Sequence, residues 1–213
     1  MKINNQYFIL RHGETIYQAQ KIERIYSWPE KSPIKLSQKG EREIKKIAKL
    51  FKKKKIDLIY SSDIYRARQT AEILASELGL KINPIRELKE VDNSQDIDFS
   101  QGVNFDSRLR DINFGIYQSK SKKEFYRDYP VSKRRFYQRP KAGESWNDVK
   151  KRMVNFLKEI DKKPKGKTIL IVSHGDPLWL LEGTLKGLSN EEMLREKLEN
   201  GTIKVGELRK LNF

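Results

Sequence analysis

Short apolar runs alternate with amphipathic stretches along this chain. Tyr7–Leu10 (YFIL), Ile56–Tyr60 (IDLIY) and Thr168–Val172 (TILIV) are apolar throughout or nearly so. The first stops at a Gly-containing turn and the other two at Ser, so all three read as buried strands. Helical spacing takes over between them. Ile44, Ile47, Ala48 and Phe51 share one face. Ala67, Thr70, Ala71, Leu74 and Leu78 share another, with Gly79 placed to end that helix. Trp146, Val149, Met153, Phe156, Leu157 and Ile160 form a third stripe. Strands alternating with helices predict an α/β fold, a three-layer α/β/α sandwich around a mostly parallel sheet. Ligands of such sheets gather beyond the carboxyl ends of the strands.

Two stretches break the alternation. Residues 90–107 (EVDNSQDIDFSQGVNFDS) are acidic and polar, and read as an irregular insertion. Residues 120–141 reverse the sign, with nine Lys and Arg against Glu124 and Asp128 and with Phe125, Tyr126, Tyr129, Phe136 and Tyr137 interleaved. This basic, aromatic segment is expected either to close over an anionic substrate as a lid or to be an ordinary exposed helix and loop. No repeat or linker divides the chain, so residues 1–213 are expected to form a single domain.

Composition narrows the function. The chain has 213 residues, a net charge of +16, no Cys and two His. A disulfide framework, a thiolate metal site, a cysteine nucleophile and a three-histidine zinc site within the chain are therefore excluded. No apolar run approaches the roughly 20 residues that span a bilayer. The first residues (MKINNQ) lead into a strand without a secretory apolar region, so a cytoplasmic protein is expected. Much of the positive charge is Lys on solvated helix faces, as at Lys45, Lys46 and Lys49. A non-enzymatic nucleic-acid binder is the competing reading of that charge, but no recognisable module supports it.

Both histidines sit in the same local setting. His12 follows YFILR, His174 follows TILIVS, and Gly comes next in each case. Arg11 adjoins His12, and Ser61-Ser62-Asp63 after the second strand leads into a helix carrying Arg66 and Arg68. Three strand ends thus bring two imidazoles and several arginines to one rim. That set suits phosphoryl chemistry: arginines bind the non-bridging oxygens and a neutral imidazole can attack phosphorus. The leaving alkoxide then needs a proton from a carboxylic acid.

Arg11-His12-Gly13-Glu14-Thr15 resembles the RHGET signature of the histidine phosphatase superfamily, the phosphoglycerate mutase-like proteins. The resemblance continues through the second-arginine motif at Ser61–Ala71 and the acid motif at Leu109–Gly115. It extends to Gly143-Glu144-Ser145, Ser173-His174-Gly175 and the following strand at Asn200–Ile203. It implies that His12 becomes a phosphohistidine, that Arg11, Arg66 and His174 hold the phosphoryl oxygens, and that Asp111 stands where the family has an acid/base Glu. Gln18, Arg24, Lys122, Arg134, Arg135, Glu144 and Gly175 fall where relatives bind substrate. Glu90, in Leu88–Asn93, is a second match to the acid pattern; Asn113-Phe114-Gly115 favours Asp111. Asp176, followed by Pro177, is expected to cap the next helix.

The activity implied is metal-independent, cofactor-free hydrolysis of a small phosphomonoester. Phosphoglycerate mutase activity is the alternative. Phe114 in place of a mutase Tyr, the Asn200–Ile203 version of the last strand and Gly143-Glu144-Ser145 resemble the phosphatases; Lys122 and Arg134-Arg135 resemble mutase residues. The small phosphorylated substrate is the partner implied, neither membrane nor nucleic acid is expected, and a homodimer is left open.

Overall fold

The computed structural model describes residues 3–211 except 28, 29, 31, 53, 85–100, 163 and 164. Five strands are found among the described residues: β1 (Gln6–Arg11), β2 (Leu58–Ser61), β3 (Gly102–Phe105), β4 (Thr168–Ser173) and β5 (Leu208–Lys210). They form one sheet in the order β3-β2-β4-β1-β5. The pairings β3·β2, β2·β4 and β4·β1 are parallel, and only β5 runs antiparallel, against β1. The helices are α1 (Ile16–Ala19), α2 (Gln38–Phe51), α3 (Tyr65–Leu78), α4 (Lys122–Asp128), α5 (Trp146–Ile160), α6 (Gly175–Leu185) and α7 (Asn190–Asn200).

Strand residues alternate between two cores, as the period of two requires. Phe8, Leu10, Leu170, Val172 and Ile59 pack with the apolar stripes of α2 and α3. Tyr7, Ile9, Ile169, Ile171 and Leu58 pack on the other face with Trp146, Met153, Phe156 and Leu157 of α5 and with α6. The expected three layers follow from this alternation. Phe51 closes the first core edge-on against Phe8, with ring centroids 5.4 Å apart.

The helix ends are specified locally. Ser37 accepts from the Gly40 amide at the start of α2. Thr15, Ser145 and Ser189 form capping boxes at α1, α5 and α7 with Gln18, Asp148 and Glu192. Each cap satisfies an amide with no partner inside its helix, typically stabilising by ~1 kcal/mol. Gly79 ends α3 at φ 67°, the left-handed position that glycine takes without a Cβ clash.

Three sequence expectations are corrected. The segment 90–107 was expected to be irregular, yet Gly102–Phe105 is an edge strand paired in parallel with β2. Residues 201–207 do not form a strand; the last strand is Leu208–Lys210, and Asn200 ends α7. Asp176 is not a helix cap. The helix begins one residue earlier, at Gly175, with His174 in the cap position. Pro177 then falls in the first turn, where its missing N–H is no loss.

Candidate active site

Four adjacent strands deliver the site. His12 follows β1, Arg66 lies in the first turn of α3 after β2, Asp111 follows β3 by way of a 3₁₀ turn at Ser107–Leu109, and His174 follows β4. Three of these strands are the parallel centre of the sheet and the fourth is its edge, so the residues meet at one end of it.

His12 and His174 are both buried, with ring centroids 5.3 Å apart. The His12 Nδ1 donates to the Gly13 carbonyl at 2.9 Å. Its Nε2 accepts from Arg66 Nε at 3.3 Å. These two contacts select the tautomer with the proton on Nδ1, leaving the Nε2 lone pair toward the guanidinium. Burial holds the His12 pKa well below the usual imidazole range, and the charges of Arg66 and Arg11 push it further down. His174 is likewise held neutral, first by burial and then by Arg66. Its Nε2 is 3.0 Å from the Ser62 hydroxyl, while its buried Nδ1 has no hydrogen-bond partner and lies 3.8 Å from Asp111 Oδ2.

Arg66 is almost fully buried, and each of its three guanidinium nitrogens makes a hydrogen bond. Beyond His12, its Nη2 donates to Asp111 at 2.9 Å and its Nη1 to Glu30 at 2.8 Å. Its guanidinium carbon stands 4.1 Å from the Tyr26 ring centroid. Arg11 donates from Nη1 to the Ile203 carbonyl at 3.0 Å, and its buried Nε has no partner. Gly175 makes room for that side chain: a Cβ there would stand 3.2 Å from the Arg11 guanidinium. The amino end of α6 also opens onto the site at His174, adding partial positive charge. Thr70 joins the strand end to α3, accepting from the Gly13 amide and donating to the Arg66 carbonyl.

Asp111 sits on a braced loop. Arg152 of α5 donates to the carbonyls of Arg108, Arg110 and Asp111, and to both oxygens of Glu144. Glu144 in turn accepts from the Asn113 amide. A cleft beside this loop is lined by Tyr26, Ser27, Ile64, Arg66, Asp111, Ile112, Phe114 and Gln118.

The sequence-predicted residues divide accordingly. Arg11, His12, Arg66, Asp111, His174 and Gly175 come together. Arg68 points elsewhere, to Glu72. Glu144 meets Arg152 and the Asn113 amide on the loop that carries Asp111. The Gln18 carbonyl is taken by the Thr15 amide within the α1 cap. Arg24 is exposed and its backbone bridges to Ser121. Lys122 pairs with Glu23 at 3.2 Å, and Arg134 is exposed. Arg135 is buried, stacked 4.3 Å from the Trp146 ring and 3.8 Å from Asp176. Glu90 lies outside the described residues. Glu30 is the site residue that sequence reasoning missed; it stands in a loop with no periodic or motif signal. Among the described residues, no group of three or more His, Cys, Asp or Glu is arranged to hold a metal ion, and no helix is long and apolar enough to cross a membrane.

An imidazole lone pair set among two arginines and a second imidazole, with a carboxylate across from it, is the kind of arrangement phosphoryl transfer calls for. The profile of the histidine phosphatase superfamily (branch 1) matches residues 7–96 and 96–211, and the chain belongs to that family. A protein of Escherichia coli O1:K1 / APEC named "Probable phosphoglycerate mutase GpmB" is 30% identical over 203 residues, covering 93% of this chain and 82% of its own length. The solved structure of a mycobacterial glucosyl-3-phosphoglycerate phosphatase superposes with a TM-score of 0.71 at 22% identity, covering 97% of this chain and 89% of that one. Bacillus stearothermophilus YhfR gives a TM-score of 0.66 at 26% identity, covering 89% and 83%.

Proposed function

We propose that this chain is a metal-independent phosphomonoester hydrolase that works through a phosphohistidine on His12 and acts on a small phosphorylated metabolite. The observation that carries the reading is the His12 Nε2 lone pair facing the Arg66 fork, with the unpartnered Arg11 Nε and His174 Nδ1 buried close by. Arg11 Nε–H, and His174 Nδ1–H in the tautomer whose Nε2 accepts from the Ser62 hydroxyl, are donors that phosphoryl oxygens would satisfy. His12 Nε2 forms the bond to phosphorus while the ester P–O bond breaks. Asp111 gives its proton to the departing oxygen. Water then attacks phosphorus, the P–N bond breaks, and Asp111 takes the proton back. Arg11 and Arg66 supply the positive charge that a metal would otherwise bring.

Mutase activity is a second reading, because the relatives at 30% identity carry that name. The basic segment at 120–141 speaks for hydrolysis instead. A mutase must grip the rest of its substrate, yet Lys122 is engaged with Glu23 and Arg135 is buried between Trp146 and Asp176. The test is a phosphate-release screen over phosphorylated metabolites with 3-phosphoglycerate mutase activity assayed alongside. Release of phosphate from at least one ester, with mutase turnover absent or far slower, is expected. Mutase turnover exceeding hydrolysis would reverse the assignment.

A further inference from the structure

Arg66 is held between two carboxylates, and they are not equivalent. A guanidinium offers the Nε and Nη2 hydrogens along one edge, a pair that matches two oxygens of a phosphoryl group. Here that edge faces His12 and Asp111, the side on which phosphorus must sit. Nη1 lies off that edge, and it belongs to Glu30. The second Glu30 oxygen accepts from the Tyr65 amide at 3.1 Å. Tyr65 opens α3, whose cap residue Ile64 makes no side-chain capping bond. Glu30 therefore stands in for the missing cap, satisfying an orphan amide and placing negative charge at a helix amino end. One side chain, 10% exposed, thus ties down both the start of α3 and the guanidinium of its second residue.

We propose that Glu30 is the positioning residue for Arg66: it stays in place when substrate binds, fixes the Nε–Nη2 edge toward the phosphoryl group, and tempers the affinity of the empty site for phosphate. This rests on the hydrolase reading above. An incoming phosphoryl group displaces Asp111 from Nη2, freeing that carboxyl to face the leaving oxygen, while Glu30 keeps Nη1. Because Glu30 shares the guanidinium charge, it weakens ground-state binding of a dianion. Its contribution is a fixed geometry for the transition state, which raises turnover rather than affinity. Product phosphate leaves more readily for the same reason.

The test compares wild type with Glu30→Gln, which keeps the shape, and Glu30→Ala, which removes the brace. Turnover is measured on p-nitrophenyl phosphate and glycerol phosphate, and inorganic phosphate binding by calorimetry, with melting temperatures recorded. Loss of the brace should lower kcat by about 10-fold to 100-fold on both esters alike. Inorganic phosphate should bind several-fold more tightly to both variants. A loss confined to glycerol phosphate would make Glu30 the proton donor and overturn the proposal. Unchanged kcat, or phosphate binding that is unchanged or weaker, would overturn it too. Wild type inactive on every ester would sink the hydrolase reading alone. The calorimetric comparison needs no turnover and would still decide the role of Glu30. Should Glu30→Ala fail to fold, Glu30→Gln still decides: its amide nitrogen cannot accept, so it loses the charge and one of the two bonds, and lower kcat with tighter phosphate binding is expected of it too.

Discussion

Nε of Arg66 donates a 3.3 Å hydrogen bond to Nε2 of His12, so the atom that would attack phosphorus is held by the group that would bind the phosphoryl oxygens. The contact requires an unprotonated Nε2. Burial, with Arg66 and Arg11 close by, keeps it so by lowering the His12 pKa well below the ordinary imidazole value.

Both histidines should therefore stay neutral where free imidazoles titrate. The chain has only two, so the Cε1–H signals in an NMR titration are unambiguous. Neither should move between about pH 8 and pH 6, a range that spans the ordinary value of ~6.5. The unfolded chain does take up protons there. The lowered folded values thus stabilise the protein fully above about pH 6.5, and that contribution is lost as pH falls below it. A midpoint near 6.5 for either resonance would contradict the burial seen here.

Asp111→Asn should separate substrates by leaving group. An alkoxide needs a proton to depart, whereas p-nitrophenolate needs little help. Turnover of glycerol phosphate should drop by at least ~10²-fold, with a milder loss on p-nitrophenyl phosphate. Glu90→Gln should change neither rate. The reverse pattern in parallel assays would make Glu90 the acid.

Asp176 should matter for stability and for holding Arg135 of the 120–141 segment in place. It accepts from Trp146 Nε1 at 3.0 Å and Lys197 Nζ at 2.6 Å, and lies 3.8 Å from Arg135. Burial alone would raise its pKa, but Lys197 and Arg135 outweigh it and the net shift is well downward. A depressed carboxyl stabilises the fold above its unfolded value near 3.9, and this contribution disappears as pH falls through and below about 4. Asp176→Asn strands two cations, so a loss of about 3 kcal/mol is expected in urea unfolding at pH 7. A loss under ~0.5 kcal/mol would show that the cluster contributes nothing net.

The fold and the gathering of the candidate site residues were largely legible in the sequence because both rest on local patterns. Three apolar runs ended at His12, Ser61-Ser62 and His174, and the sheet brings those ends together. Residues whose partners are set by tertiary contact were not legible. Glu30 reaches Arg66 across 36 positions, with nothing in its neighbours to announce the pairing. Gly102–Phe105 is only four residues long and follows an acidic, polar stretch, so its strand character comes from pairing with β2. Arg135 read as a substrate contact because its charge is visible in sequence, whereas the aromatic faces of Trp146 and Phe125 that cover it are not. The basic segment at 120–141 holds its place through Phe125, which packs with Ile25 and Tyr117.

The central claim is a covalent bond between phosphorus and His12. Wild type mixed with a ³²P-labelled phosphomonoester and quenched within its turnover time should retain label on the protein. The label should be stable in base, labile in acid and localised by peptide mapping to His12. His12→Ala should retain none and lose several orders of magnitude in turnover while its melting temperature stays close to wild type. Label on another residue, or near-normal turnover in folded His12→Ala, would contradict the account.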